Sequence, residues 1–352
     1  MKCIRKNWLF NIKEILNITL LWVLFTLFYV FIKFNDIPDS QLLSIYGVNY
    51  GLNKSTIYKI SFFIGFPLGI ILGLLYTFIY PLLYRKLNLW AIILVRVFVF
   101  STIAILIFIA FDGISHFNEL ASRNAVSFFI YMVLTEIFVG LMVLLKRNLG
   151  RNYFVNTIIN TYHTPKEEHR VFMFLDMEDS TRTVEQMGHL NFSKYIQDCF
   201  YDLSDIVLRH GGDIYQFVGD EAVITWKPYK GFEYENCIKM YYDYMDFLDR
   251  KSYYYLTKYG YKPLFKCAIH SGRVSTALVG DYKKEIAYHG DVLNLCARLQ
   301  SVCKQNNSYI LVSDRFFDNL QIESKTYTAT PILLNNLKGI DKEQYAFSIT
   351  RN

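Results

Sequence analysis

Four apolar runs, roughly Leu16–Ile32, Ile60–Tyr80, Leu89–Phe111 and Ala125–Leu145, leave this chain few ways to fold. Each comes close to the about 20 residues that a helix needs to cross a bilayer core. A single run of this kind could be a buried core helix, but four in series read as a transmembrane bundle. The first is followed by further runs and by no small-residue cleavage site, so it reads as a span rather than a removed leader. Apolar residues make up 53% of the 352 and charged residues 19%, and the apolar excess stops near Leu145. That step predicts a membrane domain over 1–147, a cytoplasmic linker over 148–168 and a soluble domain over 169–352.

The net charge of +6 does not point to nucleic acid. Much of it flanks the apolar runs (Lys2, Arg5, Lys6, Arg85, Lys86, Lys146), and no block of five like charges forms a basic arm. Cytoplasmic loops carry such lysines and arginines for topological reasons. The loops around Asn35–Lys59 and Asp112–Asn124 are poorer in them and hold Asp36, Asp39, Asp112 and Glu119. The expected protein is therefore a multi-pass protein of the cell membrane with its N-terminus and soluble domain in the cytoplasm. The six cysteines show no paired spacing with each other or with histidine, so neither a disulfide framework nor a zinc site is expected.

Two ionisable residues interrupt the spans, Arg96 in the third and Glu136 in the fourth. At about 1.5 Å per residue each lies on the order of 10–14 Å from its cytoplasmic end. Antiparallel neighbours would bring them together and relieve the cost of a charge in hydrocarbon. Such a pair could be a packing salt bridge or a sensing element. With no internal repeat and no broken-helix pair, a transporter is disfavoured. After the last span, Lys146–His163 could form a short helical connector ahead of Pro165.

From His169 onward strand-like and helix-like runs alternate. Val171–Leu175 is a short apolar run that ends at Asp176. An amphipathic helix follows, with Phe192, Ile196, Cys199, Leu203 and Ile206 at helical spacing, and Gly211-Gly212 closes it. Asp213–Val218 and Ala222–Trp226 flank Gly219-Asp220-Glu221, a hairpin with an acidic tip. A tyrosine-rich helical region, Tyr234–Lys258, leads to a strand at Leu264–His270. Strand, helix, two strands, helix, strand is the order of an α+β ferredoxin-like sheet with helices on one face. There the first and third strands are neighbours, so Asp176 and Asp220 would emerge together. Mg²⁺ favours one or two carboxylates plus substrate phosphates. The amides of Glu178, Asp179, Ser180 and Thr181, at a helix start, could cradle a phosphate. Taken singly, each aspartate reads as an ordinary turn or cap residue.

Their company changes that reading. Phe174-Leu-Asp-Met-Glu-Asp-Ser-Thr181, Gly211-Gly-Asp-Ile-Tyr-Gln-Phe-Val-Gly-Asp-Glu221, His270-Ser-Gly272, Gly280-Asp281 and His289-Gly-Asp-Val-Leu-Asn-Leu-Cys-Ala-Arg298 follow one another in order. Together they resemble the catalytic domain of class III nucleotide cyclases, over about Val171–Ile349. The resemblance implies that Asp176 and Asp220, with the Met177 carbonyl, hold two Mg²⁺ (or Mn²⁺) ions. It implies that Asn294 orients the ribose, that Arg298 neutralises charge on the α-phosphate, and that Lys338 binds the triphosphate. It also implies a homodimer through the cyclase domain, in which each site takes its aspartates from one copy and its Asn/Arg pair from the other. The four-helix membrane bundle would then anchor, and could regulate, an adenylate cyclase that makes 3′,5′-cyclic AMP and pyrophosphate.

The match breaks at the base-selecting positions, which hold Gln216 and Ala287. Gln216 can donate and accept toward a base edge, whereas Ala287 offers no polar group. ATP is the favoured substrate, with GTP or a pyrimidine triphosphate as the alternative. A membrane receptor that binds nucleotide without turnover is the reading from another class. It is disfavoured because every metal and transition-state position is intact. His270 and His289 are expected in core or supporting roles, the tyrosines in packing, and Glu178, Asp179 and Glu221 as cap or turn residues.

Overall fold

The computed structural model describes residues 2–38, 53–84, 86–112, 123–150, 156, 159–227, 232–306, 308–320, 326–334 and 344–352. The chain divides into two compact units, Met1–Asn148 and Leu149–Asn352.

The first unit holds four helices, α1 (Lys2–Phe34), α2 (Lys54–Leu74), α3 (Leu89–Asp112) and α4 (Arg123–Leu149). Four segments are long and apolar enough to cross a membrane, Asn11–Phe34, Lys54–Leu83, Leu89–Leu106 and Val126–Asn148, and they coincide with the four runs read from sequence. Between lipid-like surfaces apolar burial gives little drive, so close backbone packing must hold the helices. Gly65, Gly69 and Gly73 provide it: a Cβ at Gly69 would stand 2.8 Å from the Thr19 Cα of α1. Trp22 of α1 stacks on Phe100 of α3 with ring centroids 5.4 Å apart. Beyond α2 the backbone widens into a π-turn over Leu75–Ile79 before the short helical segment Tyr80–Leu83. Arg96 and Glu136 do pair, with Arg96 Nη2 3.0 Å from Glu136 Oε1.

The second unit is a mixed sheet. Its elements are β1 (Lys166–Met177), α5 (Ser180–Met187), α6 (His189–Arg209), β2 (Asp213–Val218), β3 (Glu221–Trp226), α7 (Phe232–Arg250) and α8 (Ser252–Tyr259). There follow β4 (Phe265–Val279), β5 (Glu285–His289), α9 (Asp291–Gln305), β6 (Ile310–Ser313), α10 (Asp314–Phe317), β7 (Tyr327–Leu334) and β8 (Gln344–Arg351). Strands run β2-β3-β1-β4-β6-β8-β7, with β5 on β4, so the ferredoxin-like core and its β1–β3 pairing are as expected.

One face of β1 sends Val171, Met173 and Leu175 against Tyr195, Cys199 and Leu203 of α6 and Tyr241 and Tyr244 of α7. The other face carries Phe172 and Phe174 against Val292, Cys296 and Leu299 of α9. The helices therefore do not all lie on one face: α9 covers the second. Alternate residues of a strand point to opposite faces, and β1 is apolar on both, so both need cover. Gly272 on β4 lets α9 approach, since a Cβ there would stand 2.7 Å from Val292 Cγ2. Beyond the core, β1 and β4 extend as a long antiparallel arm, with Lys166 opposite Thr276.

The tyrosines do pack. Tyr241 donates to the Phe265 carbonyl, Tyr244 to that of Cys199 and Tyr255 to Asp202, while Tyr253 lies exposed. Five cysteines, Cys199, Cys237, Cys267, Cys296 and Cys303, are free and buried. Of the expected connector, residues 151–155, 157 and 158 lie outside the described residues.

Candidate active site

Antiparallel pairing builds the acidic cleft. In register, Asp176 of β1 lies opposite Glu221 of β3 on one side and Lys266 of β4 on the other. Asp220 occupies the β2–β3 turn one residue before Glu221, beside Gly219, whose φ of 63° suits a residue without a Cβ. Three carboxylates thus converge where β1 ends.

Asp176 is 4% exposed. Burial raises its pKa, the Asp220 charge adds to that, and an ion pair with the Lys304 ammonium works against both. Glu221 is pushed up to about 7, first by burial and then by the charge of Asp176. Its reading as a solvated turn residue therefore fails, because the β3 ladder draws its carboxylate into the cleft.

Next to these groups lies a cavity of about 490 Å³, lined by Asp176, Met177, Glu178, Asp179, Ser180 and Thr181, with Lys266 and Lys304 among its other walls. Asp179 precedes α5 in a left-handed conformation (φ 53°), and its side chain makes no cap hydrogen bond, so it is not the helix cap expected of it. Glu178 pairs with Lys266 at 2.7 Å. Among the described residues no group of three or more His, Cys, Asp or Glu side chains is placed to hold a metal. The donor set still fits a divalent ion, since one or two carboxylates plus substrate phosphates is the usual Mg²⁺ arrangement. Lys304 supplies positive charge at that place in the structure.

Asn294 and Arg298 occupy the exposed face of α9, one turn apart, while Val292, Cys296, Leu299 and Cys303 face the sheet. Lys304, at the far end of the same helix, touches Asp176. At about 1.5 Å rise per residue, Arg298 is about 9 Å and Asn294 about 15 Å along the helix axis from Lys304. Neither lines the carboxylate cavity.

Gln216 is exposed on β2, and Ala287 is half-buried on β5. Their neighbours Tyr215 and Tyr288 touch with ring centroids 4.9 Å apart, which brings the two segments together. Lys338 lies outside the described residues. His270 is buried, 2.7 Å from Ser313 Oγ, and burial lowers its pKa to about 4, which makes it a core residue as expected. His289 is exposed at the end of β5. Sequence reasoning missed Lys266 and Lys304. Lysines are frequent, and only the sheet register and the α9 packing bring these two to Glu178 and Asp176.

A mixed sheet of this order, with an acidic strand end and a helix carrying Asn and Arg on its open face, defines a nucleotide-cyclase type of domain. Residues 162–350 match the family model of the adenylate and guanylate cyclase catalytic domain, and the chain belongs to that family. Over 165 residues it is 35% identical to adenylate cyclase 2 of Rhizobium meliloti (strain 1021), an alignment that covers 47% of this chain and 46% of that one. The chain therefore spans about half the length of this curated relative. Two structures of a bacterial light-regulated adenylyl cyclase share the fold. One has a TM-score of 0.52 at 14% identity, covering 65% of this chain and 67% of that one. The other has a TM-score of 0.50 at 16% identity, covering 62% and 63%.

Proposed function

We propose that this chain is a membrane-bound adenylate cyclase, converting ATP to 3′,5′-cyclic AMP and pyrophosphate in a homodimer of its C-terminal units. The named relative is an adenylate cyclase. The observation that carries the dimer is the separation within one chain: the acidic cleft lies at one end of α9, and Asn294 and Arg298 lie exposed along it. A second copy related by a twofold axis could present its Asn294 and Arg298 to the first copy's cleft, and the reverse.

In this reading Asp176, Asp220 and the Met177 carbonyl hold Mg²⁺ or Mn²⁺, two ions per site. The ions would polarise the attacking oxygen and neutralise the phosphates. The amides around Glu178–Thr181 and the ammonium of Lys338 hold the triphosphate. Asn294 fixes the ribose so that its 3′-oxygen faces the α-phosphorus. The O3′–P bond forms as the bond to the bridging oxygen breaks, and pyrophosphate departs. Arg298 compensates the charge that builds on the α-phosphate during the exchange. We place the N-terminus and the catalytic unit in the cytoplasm, where the triphosphate is. Gln216 and Ala287 favour a second reading for the base alone, in which GTP or a pyrimidine triphosphate is accepted. Ala287 offers no side-chain hydrogen bond for discrimination.

The test is complementation. Asp176→Ala and Arg298→Ala homodimers should each be inactive. Mixed and reassembled, they should recover about a quarter of wild-type activity, because half the dimers are mixed and each carries one intact site. Product masses from the four triphosphates assign the base. No recovery on mixing, with mixed dimers shown to form, would sink the shared-site mechanism.

A further inference from the structure

In the membrane unit one polar cluster stands out. Arg96 is 4% exposed and Glu136 is 0% exposed. Arg96 Nε and Nη2 donate to Glu136 Oε1 at 3.2 and 3.0 Å, and Nη2 also reaches the Glu136 carbonyl at 3.0 Å. Tyr76 donates to the same Oε1 at 2.8 Å and also meets the guanidinium. Tyr76 sits in the π-turn after α2, an irregularity common at functional sites. Gly140 completes the fit, because a Cβ there would fall on the guanidinium of Arg96.

The cluster is saturated on one side only. Glu136 Oε2 and the Tyr80 hydroxyl are buried without a hydrogen-bond partner. Beside them lies a cavity of about 170 Å³, walled by Arg96, Glu136, Gly140 and aliphatic side chains of α3 and α4 that include Ile93 and Leu144. Leu89, Ile137 and Leu141 on its border are 46%, 40% and 47% exposed, so the cavity borders the surface that faces lipid. A dry apolar cavity of about 150 Å³ is enough to hold a benzene ring. This one has similar room, but its inner end is a carboxylate oxygen lacking a donor.

We propose that this cavity is a binding site for a small lipophilic alcohol or phenol that enters from the bilayer. Its hydroxyl donates to Glu136 Oε2 and its ring or chain lies along Ile93 and Leu144. An acyl chain would fill the space and leave the carboxylate oxygen orphaned, whereas a hydroxyl satisfies it. A buried acceptor left without a donor costs enough to discriminate between two otherwise equal ligands. The proposal is independent of the nucleotide chemistry of the other unit.

The full chain in phosphatidylcholine nanodiscs, titrated with 4-fluorophenol and followed by fluorine NMR, tests it. The expected result is a saturable signal absent from empty nanodiscs, with 4-fluoroanisole, whose hydroxyl is capped, binding about tenfold more weakly. Leu144→Trp should fill the cavity and remove the saturable signal. Glu136→Gln keeps the shape and should narrow the difference between the two probes. No saturable signal from the wild type, as expected if the cavity holds only water or lipid, would overturn the proposal. So would equal affinity for the two probes, or undiminished binding by Leu144→Trp. The wild-type comparison needs no variant and holds even if Leu144→Trp does not fold.

Discussion

Arg96 with Glu136 in the membrane unit, and Lys304 with Asp176 in the soluble one, are both ion pairs of a buried acid, yet their surroundings differ. In the first, both side chains are nearly inaccessible, at 5% and 0% exposure, and three donors converge on one carboxylate oxygen. In the second, the acid is 6% exposed but its lysine is 54% exposed, and two more carboxylates crowd the acid. A charge in hydrocarbon persists only if its partner is fixed. A charge at the mouth of an aqueous cleft can exchange partners. The first pair is therefore a structural closure, and the second is a carboxylate waiting for a stronger cation.

The largest effects should fall on the aqueous side, on turnover rather than on stability. Arg298→Ala should lower the rate of cyclic nucleotide formation by about 10³-fold or more, with little change in nucleotide affinity. Asp220→Ala should abolish metal-dependent turnover. Both are read by product formation in the purified full chain. An Arg298→Ala enzyme that kept its rate would show that the open face of α9 is not part of the site.

On the membrane side the comparison predicts a folding effect. Glu136→Ala leaves the Arg96 guanidinium buried with no countercharge, which should cost about 3–5 kcal/mol. Removing both charges with Arg96→Met and Glu136→Leu together should cost far less, since apolar replacement of a buried pair is often nearly neutral. Thermal unfolding of the full chain in detergent separates the two cases. Equal losses would mean that the pair is not closed on itself.

These contrasts were unevenly legible in the sequence. The Arg96–Glu136 contact followed from two antiparallel spans with charges at matching depth. Asp176 and Asp220 followed from strand order, because β1 and β3 are neighbours in any ferredoxin-like sheet. The open face of α9 was visible as Asn294 and Arg298 four residues apart. The π-turn at Leu75–Ile79 left no mark, since its residues are as apolar as those of an ordinary helix. The ends of β1 and β4 were also hidden. Lys166–Arg170 and Gly272–Val279 pair through backbone groups, and their side chains lack the apolar run that betrays a buried strand. Lys304 was the most distant inference of all, since only three-dimensional packing brings it to a residue 128 positions earlier.

His270 offers a third case, a buried titratable group that stays uncharged. It packs near Arg315, Asp314 and His169, and burial followed by the Arg315 charge lowers its pKa from 6.5 to about 4. Between those values the unfolded chain binds a proton that the folded chain does not, so His270 costs stability as pH falls. Between about pH 7 and about pH 5 the loss from this group should be on the order of 2 kcal/mol. Urea unfolding at both pH values should show a flatter dependence in His270→Gln by that amount. The comparison with wild type cancels Glu221, whose raised pKa works in the opposite direction. An unchanged slope would place the imidazole in contact with water.

The smallest effect tests the exchange of partners directly. If Lys304 only holds Asp176 until a divalent ion arrives, Lys304→Met removes a competitor and a nearby positive charge. Mn²⁺ should then bind the nucleotide-free chain about two- to fivefold more tightly, a range set by the modest worth of a half-exposed ion pair. Paramagnetic resonance of free Mn²⁺ measures this without turnover. Asp176→Asn should move affinity the other way, since it removes the carboxylate charge that both cations seek. Weaker Mn²⁺ binding in Lys304→Met would show that the ammonium supports the ion rather than standing in for it. The soluble pair would then be as much a fixed part of its unit as Arg96 and Glu136 are of theirs.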